Sequence, residues 1–402
     1  MASLTVVVIG AGALGSSTAY HLARKGAAVT LVDQHAPGSQ TSPRAAGLTN
    51  TKAVPSEIMA RLTHEATETL AAFEAETGIN LEFHRSGSVK AAYTEAGETR
   101  LLADLVMARR LGIEVDLIST AEAHRLAPWF EPGSPRAIGH VPSDAYLEPS
   151  RLPVAYVQLA EAAGAQVKPH TRVTGLLQAG GTVTGVATSR GDFPADVVVD
   201  TAGGWARAVA ALAGIRLPVV PVRHQLFITE PIAGVQPLQP VVRFLEASVY
   251  VRPERGGLML GGYEDVPAVV DPSLRGPEFQ IADLELDLGV LRGLTEEISA
   301  HVPALRDAPV AIHRGGLPTM TPDGYPILGA VPGLDGLFTA SGCCVGGLSL
   351  SPSAGRALAD LIVDGSSRPD LAPLSVERFR DWTDPAAVEQ ASAHHYARKY
   401  IK

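Results

Sequence analysis

A chain of 402 residues with 46% hydrophobic and 19% charged side chains has a globular composition and the length for two domains. Its net charge of −9 argues against nucleic acid or an anionic membrane surface as a partner. Its two cysteines are the neighbours Cys343 and Cys344, which excludes a disulfide framework, and no apolar run is long enough to span a bilayer.

The stretch 4–33 organises the rest of the chain. A β-branched apolar run over 4–9 suits a parallel strand buried on both faces. Gly10, Gly12 and Gly15 come next in G-x-G-x-x-G order. The first permits a tight turn, the second lets a pyrophosphate approach the backbone, and the third lets the helix sit close to the strand. Ala13 and Leu14 fall inside this turn and join the candidate contacts. A helix over 16–25 ends at Gly26. A second strand over 29–32 then leads to Asp33, placed to accept ribose hydroxyls of an adenosine, with Gln34 beside it. Because the first strand starts by Leu4, no leader peptide is expected, and the expected location is cytoplasmic.

The stretch 34–48 reads as a loop of small residues in which backbone can approach a flat cofactor. Its candidate contacts are Ser42, Ala45, Ala46, Gly47 and Leu48, together with Arg44, which either carries charge near the cofactor or lies in solvent. A helix is expected over 56–77, strands around a turn over 81–93, and helices over 94–111 and 120–126. Beyond a helix over 153–164 come strands over 165–169, 171–178 (with Val173 as a candidate contact) and 181–189. A buried strand over 197–200 runs into Ala202, Gly203 and Trp205, a second strand-glycine-helix junction far from the first.

From 219 onward the pattern is strand and turn, as in an antiparallel sheet: 222–229, 241–244, 248–252 and 257–263. Two helices are expected over 281–301. A last buried strand over 337–340 feeds Gly342, Val345, Gly346, Gly347, Leu348 and Ser349, before Ser351-Pro352 begins a helix running to about 364. Backbone N–H groups at that helix start suit an anion. His394 and His395 fall in a tail read as polar and solvated.

The phrases Glu76-Thr77-Gly78, Pro221-Val222-Arg223-His224-Gln225, Gly257-Leu258-Met259-Leu260-Gly261, Thr321-Pro322-Asp323-Gly324 and Ser351-Pro352-Ser353-Ala354-Gly355 occur in a characteristic order. In them the chain resembles the D-amino-acid oxidase superfamily of flavin oxidoreductases, above all the oxidoreductase portion of dimethylglycine and sarcosine dehydrogenases. The resemblance implies an α/β fold: a Rossmann-like FAD-binding domain of the glutathione-reductase type, with an interleaved substrate domain on an antiparallel or mixed sheet. Residues 1–80, 145–220 and 315–380 are assigned to the first, 81–144 and 221–314 to the second, and 381–402 to a C-terminal tail.

The resemblance further implies oxidation of a small secondary or tertiary amine or N-methyl amino acid. Hydride passes to flavin N5, and the imine hydrolyses. Oxygen or a carrier would take the electrons, and a homo-oligomer or hetero-complex is compatible. Relatives that attach FAD through histidine carry it where this chain has Arg44, and those that use cysteine carry it where this chain has Gly316, so FAD is expected to be noncovalent. Met259 stands in place of an oxygen-activating lysine, which tilts the reading toward a dehydrogenase. Pro318 stands in place of a carboxylate-binding arginine, so any carboxylate must be held elsewhere. With the chain ending at Lys402, no folate region is expected, and a removed methyl group would leave as formaldehyde.

By the same resemblance, His224 orients the amine or takes its proton; the plainer reading is a hydrogen-bonded structural histidine. Tyr250 is a catalytic or gating candidate, or else a cross-strand contact. Arg252 and Tyr263 are candidate substrate-binding residues. Two rivals stand beside the amine reading: oxidation of a 2-hydroxy acid or a biosynthetic ring, and service as the flavin subunit of a larger complex.

Overall fold

The computed structural model describes residues 3–49, 56–398 and 400. Strand β1 (Thr5–Ile9) leads through helix α1 (Ala13–Arg24) to β2 (Ala28–Val32), and β3 (Leu48–Thr49) precedes α2 (Glu57–Thr77). Then come β4 (Ser88–Ala92), α3 (Glu95–Arg110), β5 (Asp116–Leu117), α4 (Thr120–Leu126), β6 (Ala137–Val141) and β7 (Ala145–Tyr146). Helix α5 (Arg151–Ala162) is followed by β8 (Gln166–Lys168), β9 (Val173–Ala179), β10 (Thr182–Thr188), β11 (Phe193–Pro194) and β12 (Val197–Asp200). After α6 (Ala206–Ala211) run β13 (Val220–Pro221), β14 (His224–Thr229), β15 (Val241–Phe244), β16 (Val249–Glu254) and β17 (Gly257–Gly262). The chain continues through α7 (Leu288–Glu297), β18 (Val310–Gly316), β19 (Thr319–Met320), β20 (Ile327–Ala330), β21 (Leu337–Ser341), α8 (Gly347–Asp364) and α9 (Pro385–Ala397).

Among the described residues, two large sheets carry the architecture. The first has the order β20-β21-β12-β1-β2-β8 and is parallel apart from its edge strand β20. Strand β1 is buried on both faces, as its unbroken apolar run requires. Val6 and Val8 pack against α1, α5 and α8, whereas Val7 and Ile9 pack toward the small sheet β11-β10-β9 and α6. The second sheet, β18-β14-β17-β16-β15-β4-β6-β5, is antiparallel except where β15 lies parallel to β4. Its strands come from 88–141 and 224–316, so each sheet is assembled from separated parts of the chain. No described helix is long and apolar enough to cross a membrane.

Four expectations need correction. The stretch 81–87 holds only a single bridge, His84 to Tyr146, before β4. The region 281–301 forms one short 3-10 turn (Ile281–Asp283) and α7 rather than two full helices. Helix α8 begins at Gly347, four residues before Ser351, and Pro352 lies inside it. Proline cannot donate to the Leu348 carbonyl four residues back; the Ser351 hydroxyl donates to that carbonyl instead, at 3.1 Å. Finally, the polar tail is a helix, α9, with Val388, Ser392 and Tyr396 buried along one face.

Candidate active site

Two cavities open beyond the carboxyl ends of β1 and β12, where open α/β sheets bind ligands. The smaller is about 360 Å³ and the larger about 510 Å³. Gly12, Ser42, Thr201 and Gly203 line both, so the two join at the N-terminus of α1.

The smaller cavity is built by the first glycine motif. Gly10 holds φ +98, and a Cβ there would lie 2.7 Å from the Thr201 carbonyl oxygen. Gly15 is off the cavity wall; its Cβ would sit 1.8 Å from the Gly10 carbonyl oxygen, so the strand-to-helix turn closes only with glycine. The first N–H groups of α1 have no partner within the helix; that of Ala13 donates to Ser42 Oγ at 3.1 Å. Asp33 accepts from the Ala11 N–H and the His35 N–H, both at 2.7 Å. Burial pushes its carboxyl above the usual range, against the pull of those two bonds. Each oxygen keeps a further lone pair for a ligand hydroxyl. Gln34, Val173, Ala202 and Trp205 complete this wall.

The larger cavity has three sides. One is Arg44 to Leu48, with Ala13 and Leu14 of α1 and Gly316 nearby. Arg44 is not adrift in solvent: it donates to the carbonyls of Ser39 and Gln40, both at 2.7 Å, and so braces its own loop. The second side is Val345 to Ser349, the start of α8. Val345 adopts φ 67, in the left-handed region that a β-branched residue avoids. Strain of that kind concentrates at ligand sites. Gly342, also in that region at φ 63, lies behind the wall, where its Cβ would meet Thr321 at 2.4 Å.

The third side is the second sheet. His224 is opposite Gly316 in the β14–β18 pairing. Its Nδ1 meets the Tyr396 hydroxyl at 2.8 Å and its Nε2 the Tyr250 hydroxyl at 3.0 Å. The Tyr263 ring lies 5.0 Å from the imidazole. Burial pushes the Tyr250 and Tyr263 phenols above their usual value, which keeps both protonated. Tyr250 therefore faces His224, and its alternation along β16 is settled.

Arg252 has a different place from the one expected. It is fully buried, donates to the Ala46 and Pro253 carbonyls at 2.9 and 2.7 Å, pairs with Glu254 at 2.5 Å, and lies over the Tyr146 ring. It lines neither cavity and supports the Ala46 wall from behind. Met259 is likewise sealed in the core. The sequence reading missed several residues on the wall: Lys90, Arg243, His395 and Tyr400. The four-residue spacing Val388, Ser392, Tyr396, Tyr400 was the available signal for the last helix.

The sequence profile of the FAD dependent oxidoreductases (DAO) matches residues 5–361. The chain belongs to this family. Human mitochondrial sarcosine dehydrogenase is 30% identical over 98% of this chain and 44% of its own length. The 4-methylaminobutanoate oxidase (formaldehyde-forming) of Paenarthrobacter nicotinovorans is 30% identical over 98% of this chain and 46% of its own. The chain thus spans less than half the length of these relatives. The crystal structure of glycine oxidase from Geobacillus kaustophilus matches with a TM-score of 0.80 at 26% identity, covering 93% of this chain and 99% of that one.

The family's cofactor is FAD, and the residues here fit it. The acid at the end of β2, the glycine cradle at the α1 start and the roomier cavity beyond form one continuous run. Arg44 and Gly316, both on the lining of the larger cavity, offer neither a thiol nor an imidazole to a cofactor.

Proposed function

We propose that this protein oxidises the C–N bond of a small secondary or tertiary amine or N-methyl amino acid, with noncovalent FAD. FAD, when bound, would supply the acceptor for the hydride, which carries both electrons. Gly10, Gly12 and Asp33 would hold its adenosine and pyrophosphate, and residues 44–48 and 345–349 would line the space for its ring system. The free N–H groups at the start of α8 favour negative charge developing beside them. The division of the chain into the segments assigned above belongs to the same proposal, with α9 added to the cavity wall.

The observation that carries the reading is the Tyr250–His224 pair on the wall of the larger cavity, continued into the core by the buried Tyr396. A neutral imidazole donates through one nitrogen and accepts through the other. One tyrosine therefore donates to His224 and the other accepts from it, and a proton can be handed along the chain. Tyr250 presents a neutral hydroxyl to a substrate nitrogen, and His224 fixes its direction. A desolvated cavity disfavours the ammonium form of an amine, so the amine binds with its lone pair free.

The test is an anaerobic screen on the FAD-loaded protein. N-methyl amines should bleach the flavin and yield an aldehyde with the demethylated amine. Bleaching by 2-hydroxy acids and by no amine would overturn the proposal.

A further inference from the structure

The second sheet sets three side chains of the larger cavity in a row. Lys90 on β4 pairs with Arg243 on β15, and Arg243 pairs with Tyr250 on β16. Directly paired residues project to the same face. Lys90 is 7% exposed and Arg243 4%, yet both line the cavity. Among the described residues neither makes an ion pair or a side-chain hydrogen bond, and Arg243 Nε is buried without an acceptor.

Such an arrangement is unfavourable by itself. Like charges in direct register repel, and buried cations without partners are strongly destabilising. The nearby carboxylates are already engaged: Asp104 accepts from Arg100 Nε at 3.0 Å, and Asp144 from Ser88 Oγ at 2.6 Å. Lys90, Arg243 and Arg100 line the cavity with Asp104, while Asp144 lies off it and Asp323, the other acid on the lining, pairs with Arg378 at 2.7 Å. Burial, then Arg243 and Arg100, push the Lys90 ammonium down, and the two carboxylates only partly oppose this.

We propose that Lys90 and Arg243 form an anion subsite that takes the carboxylate of the substrate, while its amine lies beside His224 and Tyr250. This deepens the amine reading and rests on it. A guanidinium fork beside an ammonium suits a carboxylate, with paired N–H donors from the arginine and a point charge from the lysine. Adjacent strands are about 4.8 Å apart, so along the sheet the backbone of Arg243 stands about 5 Å and that of Lys90 about 10 Å from that of Tyr250. A carboxylate seated between Arg243 and Lys90 is displaced along the sheet from Tyr250, which favours more than one carbon between nitrogen and carboxylate. The substrate class is an N-methylamino acid with more than one carbon between amine and carboxylate.

The experiment titrates FAD-loaded protein anaerobically with N-methylamino carboxylates of increasing chain length and with the matching carboxamides. The carboxylates should bind about tenfold or more tightly than the amides, with an optimum beyond one carbon. Arg243→Gln should weaken carboxylate binding by about thirtyfold and leave the amides unchanged. Lys90→Met should act in the same direction. Equal binding of acids and amides, or a preference that survives both substitutions, overturns the subsite.

Fold integrity is read in parallel. Each substitution removes an uncompensated buried charge, so the Tm without ligand should hold or rise; a fall in both variants shows that the cations have internal partners, and overturns the proposal. Should no amine bleach the flavin, the functional reading fails, and the subsite is judged by butanoate and pentanoate alone. A Tm rise with these acids in the wild type, absent in Arg243→Gln, sustains the subsite; no rise in the wild type refutes it.

Discussion

Asp200 ends β12 and is followed by Thr201, which lines both cavities. It is 1% exposed; one oxygen accepts the Ala202 N–H at 3.0 Å, and the other has no partner among the described residues. Burial raises its pKa from 3.8 to about 7. In the unfolded chain the same group ionises near its ordinary value. Between those two values the folded state binds the extra proton, so stability falls as pH rises. The contribution is fully present below about pH 4 and is lost as pH passes about 7. Each pH unit of the gap is worth about 1.4 kcal/mol, which brings the total to about 4 kcal/mol. Asp200→Asn keeps an acceptor for Ala202 and has no charge to bury. Urea unfolding of both proteins across this range should show the wild type weakening relative to the asparagine variant as pH rises, with the difference levelling off above neutrality. Parallel stability curves would refute the reasoning.

Three further outcomes rest on particular contacts. Gly47→Ala places a Cβ 2.0 Å from the Leu147 carbonyl oxygen at φ +70; it should cost about 2 kcal/mol or more by thermal unfolding, and an unchanged Tm would contradict this. Asp33→Ala strands two backbone donors and removes the ribose acceptor; apoprotein stability should drop by about 3 kcal/mol, with weaker FAD binding by equilibrium dialysis. Tyr396→Phe leaves His224 Nδ1 without its 2.8 Å partner; a loss of about 1–2 kcal/mol and slower flavin reduction are expected, with FAD affinity unchanged.

The nucleotide half of the molecule was legible because its signals are local. A buried strand, three spaced glycines and a terminal acid all fall within one short stretch, and each has one physical reason. The start of α8 was misread because Ser-Pro is a strong helix-opening signal. Only the structure shows the Ser351 hydroxyl answering the carbonyl that Pro352 leaves unpaired. In α9, polar and histidine side chains diluted the apolar face, so the buried spacing of Val388 and Tyr396 passed as a solvated tail. The side chain of Arg252, a substrate-binding candidate, turns instead to Ala46 and Glu254. Lys90 and Arg243 could not be found from sequence: they are far apart along the chain and meet only through the parallel pairing of β4 with β15. Local chemistry is written locally, whereas a substrate wall is assembled by strand pairing.

The central claim, that an amine is oxidised in the cavity of His224 and Tyr250, is tested most directly by the rate of anaerobic flavin bleaching against pH. An N-methyl amine at subsaturating concentration must first lose its ammonium proton. The rate should therefore climb about tenfold per pH unit below the amine's pKa and then level off. A rate that stays flat from acid through neutral pH would contradict the account.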